Sequence, residues 1–340
     1  MIEIPAPYLL FLGDTSDRDD AKTAFGLRHW APERCLGEWA LPSATVSTGL
    51  PRLTPAEARS VGARSLVIGV APAGGSITAN WVPELIVALE AGLDIVSGMH
   101  TRLEEIPELA LAARSHKRRL INIRTPPAKL PVGTGRKRTG KRLLTVGTDC
   151  ALGKKYTALV LTREFVARGL TAEFKATGQT GILISGAGIP IDSVVADFVA
   201  GAAEALSPDA AADHWDIVEG QGSIFHPAYS GVSLGLMHGT QPDVIVMCHE
   251  SGRDRVSGLE HYATPSLSEA IELTLALARR TNPTVRCAGV AMNTAKLEET
   301  RAQAVLAAEG AKLQMPVADP IRGGAELQKL VDACLGIARQ

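Results

Sequence analysis

The chain has 340 residues, a net charge of −1 and 46% hydrophobic side chains, enough for one large or two medium domains with substantial cores. The near-neutral charge argues against a general nucleic-acid or membrane-surface role, and no apolar run approaches the length of a membrane-spanning helix. The start, M-I-E-I-P-A-P, lacks a charged stretch followed by an apolar one, and the five cysteines (35, 150, 248, 287 and 334) form no C-x-x-C pair. The expectation is therefore a reduced, cytoplasmic protein without a cysteine-based zinc site.

Residues 1–123 alternate strand-like and helix-like segments. Tyr8–Gly13 reads as a short apolar strand and Asp17–Leu27 as a helix, with Asp19 and Asp20 near its start, where negative charge is favoured. Thr54-Pro55-Ala56-Glu57 is a helix start, with a capping Thr, Pro at the first position and Glu three residues after the Thr. Ser65–Val70 is a strand, followed by the small-residue turn from Ala71 to Ser76. Pro83–Ala91 (helix), Asp94–Ser97 (strand), Glu105–Ser115 (helix) and Arg119–Ile123 (strand) complete a Rossmann-like parallel sheet covered by helices. The turn at Gly74-Gly75 lacks G-x-G-x-x-G and reads as structural. Gly74-Gly75-Ser76 and Ser97-Gly98-Met99-His100 stand as alternative specificity segments. Residues 124–141 hold prolines 126, 127 and 131 among glycines, and Arg136, Lys137, Arg138, Lys141 and Arg142 make this boundary basic, so a solvated linker is expected.

A second domain, 142–340, begins with the apolar run Leu143-Leu144-Thr145-Val146, which reads as a buried strand. The next residues, Gly147 to Thr157, read G-T-D-C-A-L-G-K-K-Y-T and lead into a helix, Tyr156–Arg168. Strand, glycine-bounded loop with Lys, then helix is the setting of a phosphate loop. Gly147 and Gly153 let the backbone approach an anion, loop N–H groups and the helix N-terminus face it, and Lys154 adds a full charge. Five residues separate the glycines instead of four, and Lys155 stands where Ser or Thr usually follows the Lys. The loop therefore fits a phosphate-bearing ligand better than Mg-ATP.

Further strands are expected at Thr171–Lys175, Trp215–Val218, Val244–Cys248, Val285–Met292 and Lys312–Val317, and helices at Asp192–Ala205, Gly231–His238, Ser266–Arg280, Lys296–Ala308 and Ala325–Ile337. The fold class is α/β: an N-terminal Rossmann-like parallel-sheet domain plus a C-terminal P-loop NTPase-like parallel-sheet domain. Ligands collect beyond the carboxyl ends of such strands. Those ends carry Asp149 and Cys150; Lys175; Glu219-Gly220-Gln221-Gly222-Ser223 with His226; His249, Glu250 and Arg253; Asn293; and Asp319 with Arg322.

The long loop resembles that of dethiobiotin synthetase, roughly G-T-D-T-x-x-G-K-T, whose relatives also place a Lys after the second strand, an E-G-x-G segment and a nucleobase-reading Asn. Lys175, Glu219-Gly220-Gln221-Gly222 and Asn293 follow that order. Four motifs carry a closer resemblance: G-T-D-C-A-L-G-K-K-Y-T, F-K-A-T-G-Q-T-G, D-x-V-x-A-D-F-V-A-G-A-A-E (Asp192–Glu204) and E-G-Q-G-S. Over nearly its whole length the chain is similar to the D-glutamate N-acetyltransferase family.

That resemblance implies acetyl transfer from acetyl-CoA to the amine of D-glutamate, in D-amino-acid catabolism, with no metal. Gly147, Thr148, Asp149, Cys150, Gly153, Lys154, Lys155, Tyr156 and Thr157 would hold the CoA phosphates, and Asn293 either the adenine or nearby backbone. Glu219 is the first candidate base, ahead of Asp149 and His226. Lys175 and Arg253 would bind the substrate carboxylates, with Ser223 beside them and the N–H groups of Gly220–Ser223 on the oxyanion. Arg253 could instead pair with Asp254 or Glu250 on the surface. Cys150 as an acyl-accepting nucleophile and an ATP-dependent ligase or kinase stay open as alternatives. A homodimer or higher homo-oligomer is expected, since closed symmetric assemblies are common.

Overall fold

The computed structural model describes residues 2–18, 20–70 and 75–336. Asp19, Gly74 and Ile337, which the sequence reading used, lie outside the described residues. The chain forms two compact units: residues to Pro127 together with Gly178–Ser193, and Ala128–Thr177 together with Val194 onward. Among the described residues no helix is long and apolar enough to cross a membrane.

In chain order the first stretch holds β1 (Ile2–Glu3), β2 (Tyr8–Phe11), α1 (Lys22–Trp30), β3 (Cys35–Trp39), α2 (Pro55–Ser60) and β4 (Ser65–Ile68). It continues with α3 (Val82–Glu90), β5 (Asp94–Ser97), α4 (Pro107–Ser115) and β6 (Leu120–Asn122). Next come β7 (Lys141–Gly147), α5 (Lys154–Ala167), β8 (Ala172–Lys175), α6 (Gln179–Ser185), β9 (Ala187–Gly188), α7 (Val199–Leu206) and β10 (Trp215–Val218). The chain then runs through α8 (Ser230–Thr240), β11 (Val244–Glu250), the hairpin β12 (Arg255–Val256) and β13 (Leu259–Ala263), and α9 (Leu267–Ala278). It closes with β14 (Arg286–Asn293), α10 (Glu299–Leu313), β15 (Val317–Ala318) and α11 (Gly324–Leu335).

The first unit is built on a parallel sheet of order β3-β2-β4-β5-β6. All four residues of β2 and of β4 are buried, because helices cover both faces of a parallel sheet. Helix α2 starts as the sequence predicts: the Thr54 side chain accepts from the Glu57 amide and Glu57 reaches back to the Thr54 amide. The stretch 178–193 completes this unit. Strand β9 pairs antiparallel with β1, α6 packs on α1, and the Tyr8 hydroxyl donates to the Leu183 carbonyl at 3.5 Å.

The second unit holds a six-stranded parallel sheet of order β15-β14-β11-β7-β10-β8. Strand β7 lies between β10 and β11, where the strand order reverses, and it delivers its loop there. Helix α5 covers the sheet with Ala158, Leu161 and Phe165, which recur at helical spacing and join Leu143, Ile217 and Val246 in one core. The Phe165 ring meets Trp215 edge-on at 5.2 Å.

Several expectations need correction. Helix α1 begins at Lys22 rather than Asp17. The helix expected over Asp192–Ala205 is two single 3₁₀ turns, Ile191–Ser193 and Ala196–Phe198, before α7, with the β-branched pair Val194-Val195 between them. Helix α10 runs on to Leu313 and ends at Gln314 in the left-handed region (φ 52°), which leaves only Val317–Ala318 as strand. The basic stretch is not uniformly solvated: Arg138 and Arg142 are buried. Arg142 donates to the Ser207 hydroxyl at 2.7 Å and to the carbonyls of Arg138, Thr139 and Pro208 at 3.1, 3.0 and 2.7 Å. Ser207 in turn donates to Asp216 on β10. Arg142 thus ties the incoming chain through Ser207 to β10, and Arg138 donates to the Gly239 and Thr240 carbonyls at the end of α8, whereas Lys137 and Arg136 make exposed pairs with Asp243 and Asp209.

Arg142→Ala leaves buried carbonyls unmatched and is expected to cost about 3–5 kcal/mol. Lys137→Ala should cost less than about 1 kcal/mol. Denaturant unfolding compares the two, and equal losses would contradict a structural role for the buried guanidinium.

Candidate active site

The loop after β7 is stiff and its polar groups are already organised. Thr148 and Asp149 are buried, Ala151 holds φ 53° and Gly153 φ 102°, and α5 starts at Lys154. A left-handed alanine costs of order 1 kcal/mol, which the surrounding contacts must over-determine. Asp149 supplies them. Its Oδ1 accepts the Cys150 amide at 2.7 Å, and its Oδ2 accepts the Ser257 amide at 2.8 Å and the Arg253 guanidinium at 3.0 Å. Arg253 also donates to the Cys150 carbonyl at 3.0 Å and to Glu250 at 2.7 Å. The turn that joins β12 to β13 is thus fastened to the loop through Ser257.

Lys154 is buried and its Nζ donates to the Asp149 carbonyl at 2.8 Å. Burial pushes its ammonium below the ordinary lysine range. The Lys155 ammonium lies over the Tyr156 ring, 4.4 Å from its centre. Thr157 is buried with its hydroxyl 3.6 Å from the Cys248 sulfur. The Thr148 hydroxyl and His249 Nδ1 are 2.9 Å apart, and burial holds the His249 imidazole below its ordinary pKa.

Around the loop, Glu219 at the end of β10 is buried, and its Oε2 accepts the Thr177 amide at 3.0 Å. The Ser223 hydroxyl donates to the Gly147 carbonyl at 2.8 Å. His226 Nδ1 accepts the Ala228 amide at 3.2 Å, so the ring proton belongs on Nε2, 3.3 Å from the Ser257 carbonyl. Donor atoms of Asp149, Cys150 and His226 lie within 4.8 Å of one another. A metal there would meet a carboxylate that Arg253 already neutralises. Burial pushes the Cys150 thiol up from its ordinary value.

The structure therefore brings Gly147–Thr157, Glu219, Ser223, His226 and Arg253 together. It places the other candidates in local roles. Lys175 Nζ turns to Glu173 at 2.7 Å and Asp216 at 3.5 Å, in a group that includes His214. Asn293 Oδ1 accepts the Ala295 amide at 3.0 Å. Ser257 and His249 gained no role from the sequence: Ser257-Gly258 signals a turn, but nothing in it says where the turn docks.

Gly220 is required by space. A Cβ there would stand 1.8 Å from the Thr145 carbonyl oxygen and 3.1 Å from the Lys154 Cδ. Gly220→Ala should cost at least about 1–3 kcal/mol. Gly231→Ala, in α8 with nothing within 4 Å, should be neutral or stabilise by up to about 1 kcal/mol. Thermal unfolding of both variants checks this, and a harmless Gly220→Ala would contradict the packing of β10 against the loop.

Comparisons with known proteins agree with this architecture. Residues 33–126 match a domain of unknown function described as Rossmann-like, the DUF1611 N-terminal domain, and residues 131–331 match its C-terminal P-loop domain. A D-glutamate N-acetyltransferase of Tritonibacter scottomollicae is 47% identical over 334 residues, 98% of this chain and 100% of that protein. One of Pseudoalteromonas sp. is 45% identical over 325 residues, 96% of this chain and 98% of that protein. The crystal structure of a DUF1611 family protein from Anabaena variabilis superposes with a TM-score of 0.84 at 32% identity, covering 98% of this chain and 100% of that one. The chain belongs to this family of Rossmann-like and P-loop proteins, which includes the two D-glutamate N-acetyltransferases.

Proposed function

We propose that the chain is an acyltransferase that moves an acetyl group from acetyl-CoA to the amine of D-glutamate. The observation that carries this reading is 47% and 45% identity, over nearly the full length, to two proteins of that name. The loop chemistry supports the donor. Coenzyme A presents a diphosphate and a ribose phosphate, and the loop offers the α5 N-terminus with Lys154 and Lys155. A metal-dependent kinase or ligase needs a hydroxyl just after the loop lysine. Lys155 stands there, and the Thr157 hydroxyl is turned to Cys248. Both features favour a metal-free phosphate site over the ligase reading.

The amine must lose a proton as it attacks the thioester carbonyl, and the CoA thiolate then leaves. Glu219 is the base in this reading. Asp149 is spent on Cys150, Ser257 and Arg253, and His226 Nδ1 already accepts a backbone N–H. His226 Nε2–H faces the Ser257 carbonyl at 3.3 Å, a long contact that a developing oxyanion or leaving thiolate would have to replace. The amide of Gly220 is occupied by the Thr145 hydroxyl at 3.0 Å, so that group leaves the expected oxyanion set. Arg253 keeps its place as a positioning group for the loop, and any contact to a substrate carboxylate would share it with Glu250. In this reading transfer is direct: burial pushes the Cys150 thiol above its ordinary value, which disfavours it as the acyl acceptor. The enzyme acts in the cytoplasm as a homo-oligomer in this account.

Release of free thiol from acetyl-CoA, with D-glutamate, L-glutamate or no amine and with or without Mg-ATP, tests the reading. Release that needs D-glutamate and ignores Mg-ATP is expected. Glu219→Gln should lower kcat by roughly 10²–10⁴-fold with little change in the acetyl-CoA KM, while Cys150→Ala keeps most of the activity. Amine-dependent ADP formation without thiol release would overturn the assignment. Full activity of Glu219→Gln would remove Glu219 as the base.

A further inference from the structure

The first unit carries a charged cavity that the transfer reaction does not use. It lies at the amino ends of the strands, the side opposite to where parallel sheets usually bind ligands. Its volume is about 370 Å³, and its lining is Pro5, Arg59, Arg64, Asp94, Arg118 and Arg119. That volume falls in the range of small-molecule sites, about 300–1,000 Å³.

The lining sets four guanidinium groups against one carboxylate. Asp94 is matched by Arg119 alone, which donates to it from Nε at 2.9 Å and from its backbone amide at 3.0 Å. The other three arginines meet no acid among the described residues. Arg59, in the last turn of α2, donates to the Ala63 carbonyl at 3.1 Å. Arg118 donates to the carbonyls of His116 and Gly92, both at 3.3 Å. The Arg64 guanidinium makes no hydrogen bond or ion pair with any described residue, and its backbone is held instead, its amide donating to the Pro7 carbonyl at 2.8 Å. Four different segments thus converge on one cavity, and most of the positive charge brought there has no counter-charge. Like charges gathered in this way repel, and a bound anion relieves the repulsion.

We infer that this cavity binds a small polyanion with two or more phosphate or carboxylate groups. The fork of a guanidinium matches both kinds of group with paired N–H donors, and Arg64 and Arg118 supply the forks that have no acid to pair with. Arg59 contributes charge from the wall. The site is independent of the function proposed above, because it lies wholly in the first unit and its test needs no transferase activity.

The experiment measures binding of pyrophosphate and of citrate to the full chain by calorimetry, at constant ionic strength. Hydrogen–deuterium exchange then locates the protected amides. The two probes separate phosphate from carboxylate ligands with the same charge logic. Expected are binding of at least one probe, protection around residues 59–64 and 116–119, and a loss of affinity of roughly tenfold or more in Arg64→Ala and Arg118→Ala. Pyrophosphate also suits the phosphate loop, so Lys155→Ala should lose any binding that protects residues 147–155 and keep the binding that protects 59–64 and 116–119, which separates the two sites. Circular dichroism confirms that the variants fold, and Arg64→Lys should retain part of the affinity. Unchanged binding in both alanine variants, protection confined to residues 147–155, or no binding of either probe beyond that of chloride would overturn the inference.

Discussion

One buried carboxylate holds the candidate site in shape. Asp149 sits at the point where β7 has ended and α5 has not yet begun, and it receives a loop amide, a guanidinium from the segment after β11 and an amide from the hairpin turn beyond it. A carboxylate taken from water is costly unless its oxygens are matched, and these three donors match it. The loop, the end of β11 and the hairpin are thereby fixed as one body. The left-handed Ala151 and the inward-turned Lys154 are local consequences of that fixing. Asp149 is one of the candidate bases in the sequence, and in the structure its two oxygens are held by these three donors.

What the sequence showed well was whatever depends on neighbours along the chain. The phosphate loop stands out because strand, glycines, lysine and helix follow one another within a few turns. The capping pair of Thr54 with Glu57 forms for the same reason. The parallel sheets follow from alternating apolar strands and helices. The partner of a polar side chain was not legible, because it comes from a distant strand. Lys175 finds Asp216, Arg253 finds Asp149, and His226 finds Ser257 only once the sheet order is set. The basic stretch reads as solvated because its composition resembles a linker. Only folding reveals that Arg142 is buried under several backbone carbonyls while Lys137 stays exposed, with the Gln241 carbonyl and Asp243 as its partners.

No hydroxyl follows the loop lysine, and the metal-free reading proposed for this site rests on that. In its place Lys155 adds a second cation at the start of α5, and Thr157 is withdrawn into the core beside Cys248. A cofactor whose phosphates serve only as a handle is well matched by such a loop, since no bond to phosphorus needs to break. On the proposed function the chemistry falls to residues at the neighbouring strand end, Glu219 and His226. Their geometry distinguishes them: one is a carboxylate held by the Thr177 amide, the other an imidazole whose proton sits on Nε2.

The central claim is that the loop binds coenzyme A through its phosphates without a metal. Calorimetric titration of CoA and of pantetheine, each in chelator and in excess Mg²⁺, tests it most directly. The account predicts one CoA affinity in both buffers and pantetheine binding weaker by roughly 100-fold, the loss of two charge-assisted contacts. CoA binding that needs Mg²⁺, or pantetheine binding as tight as that of CoA, would contradict it.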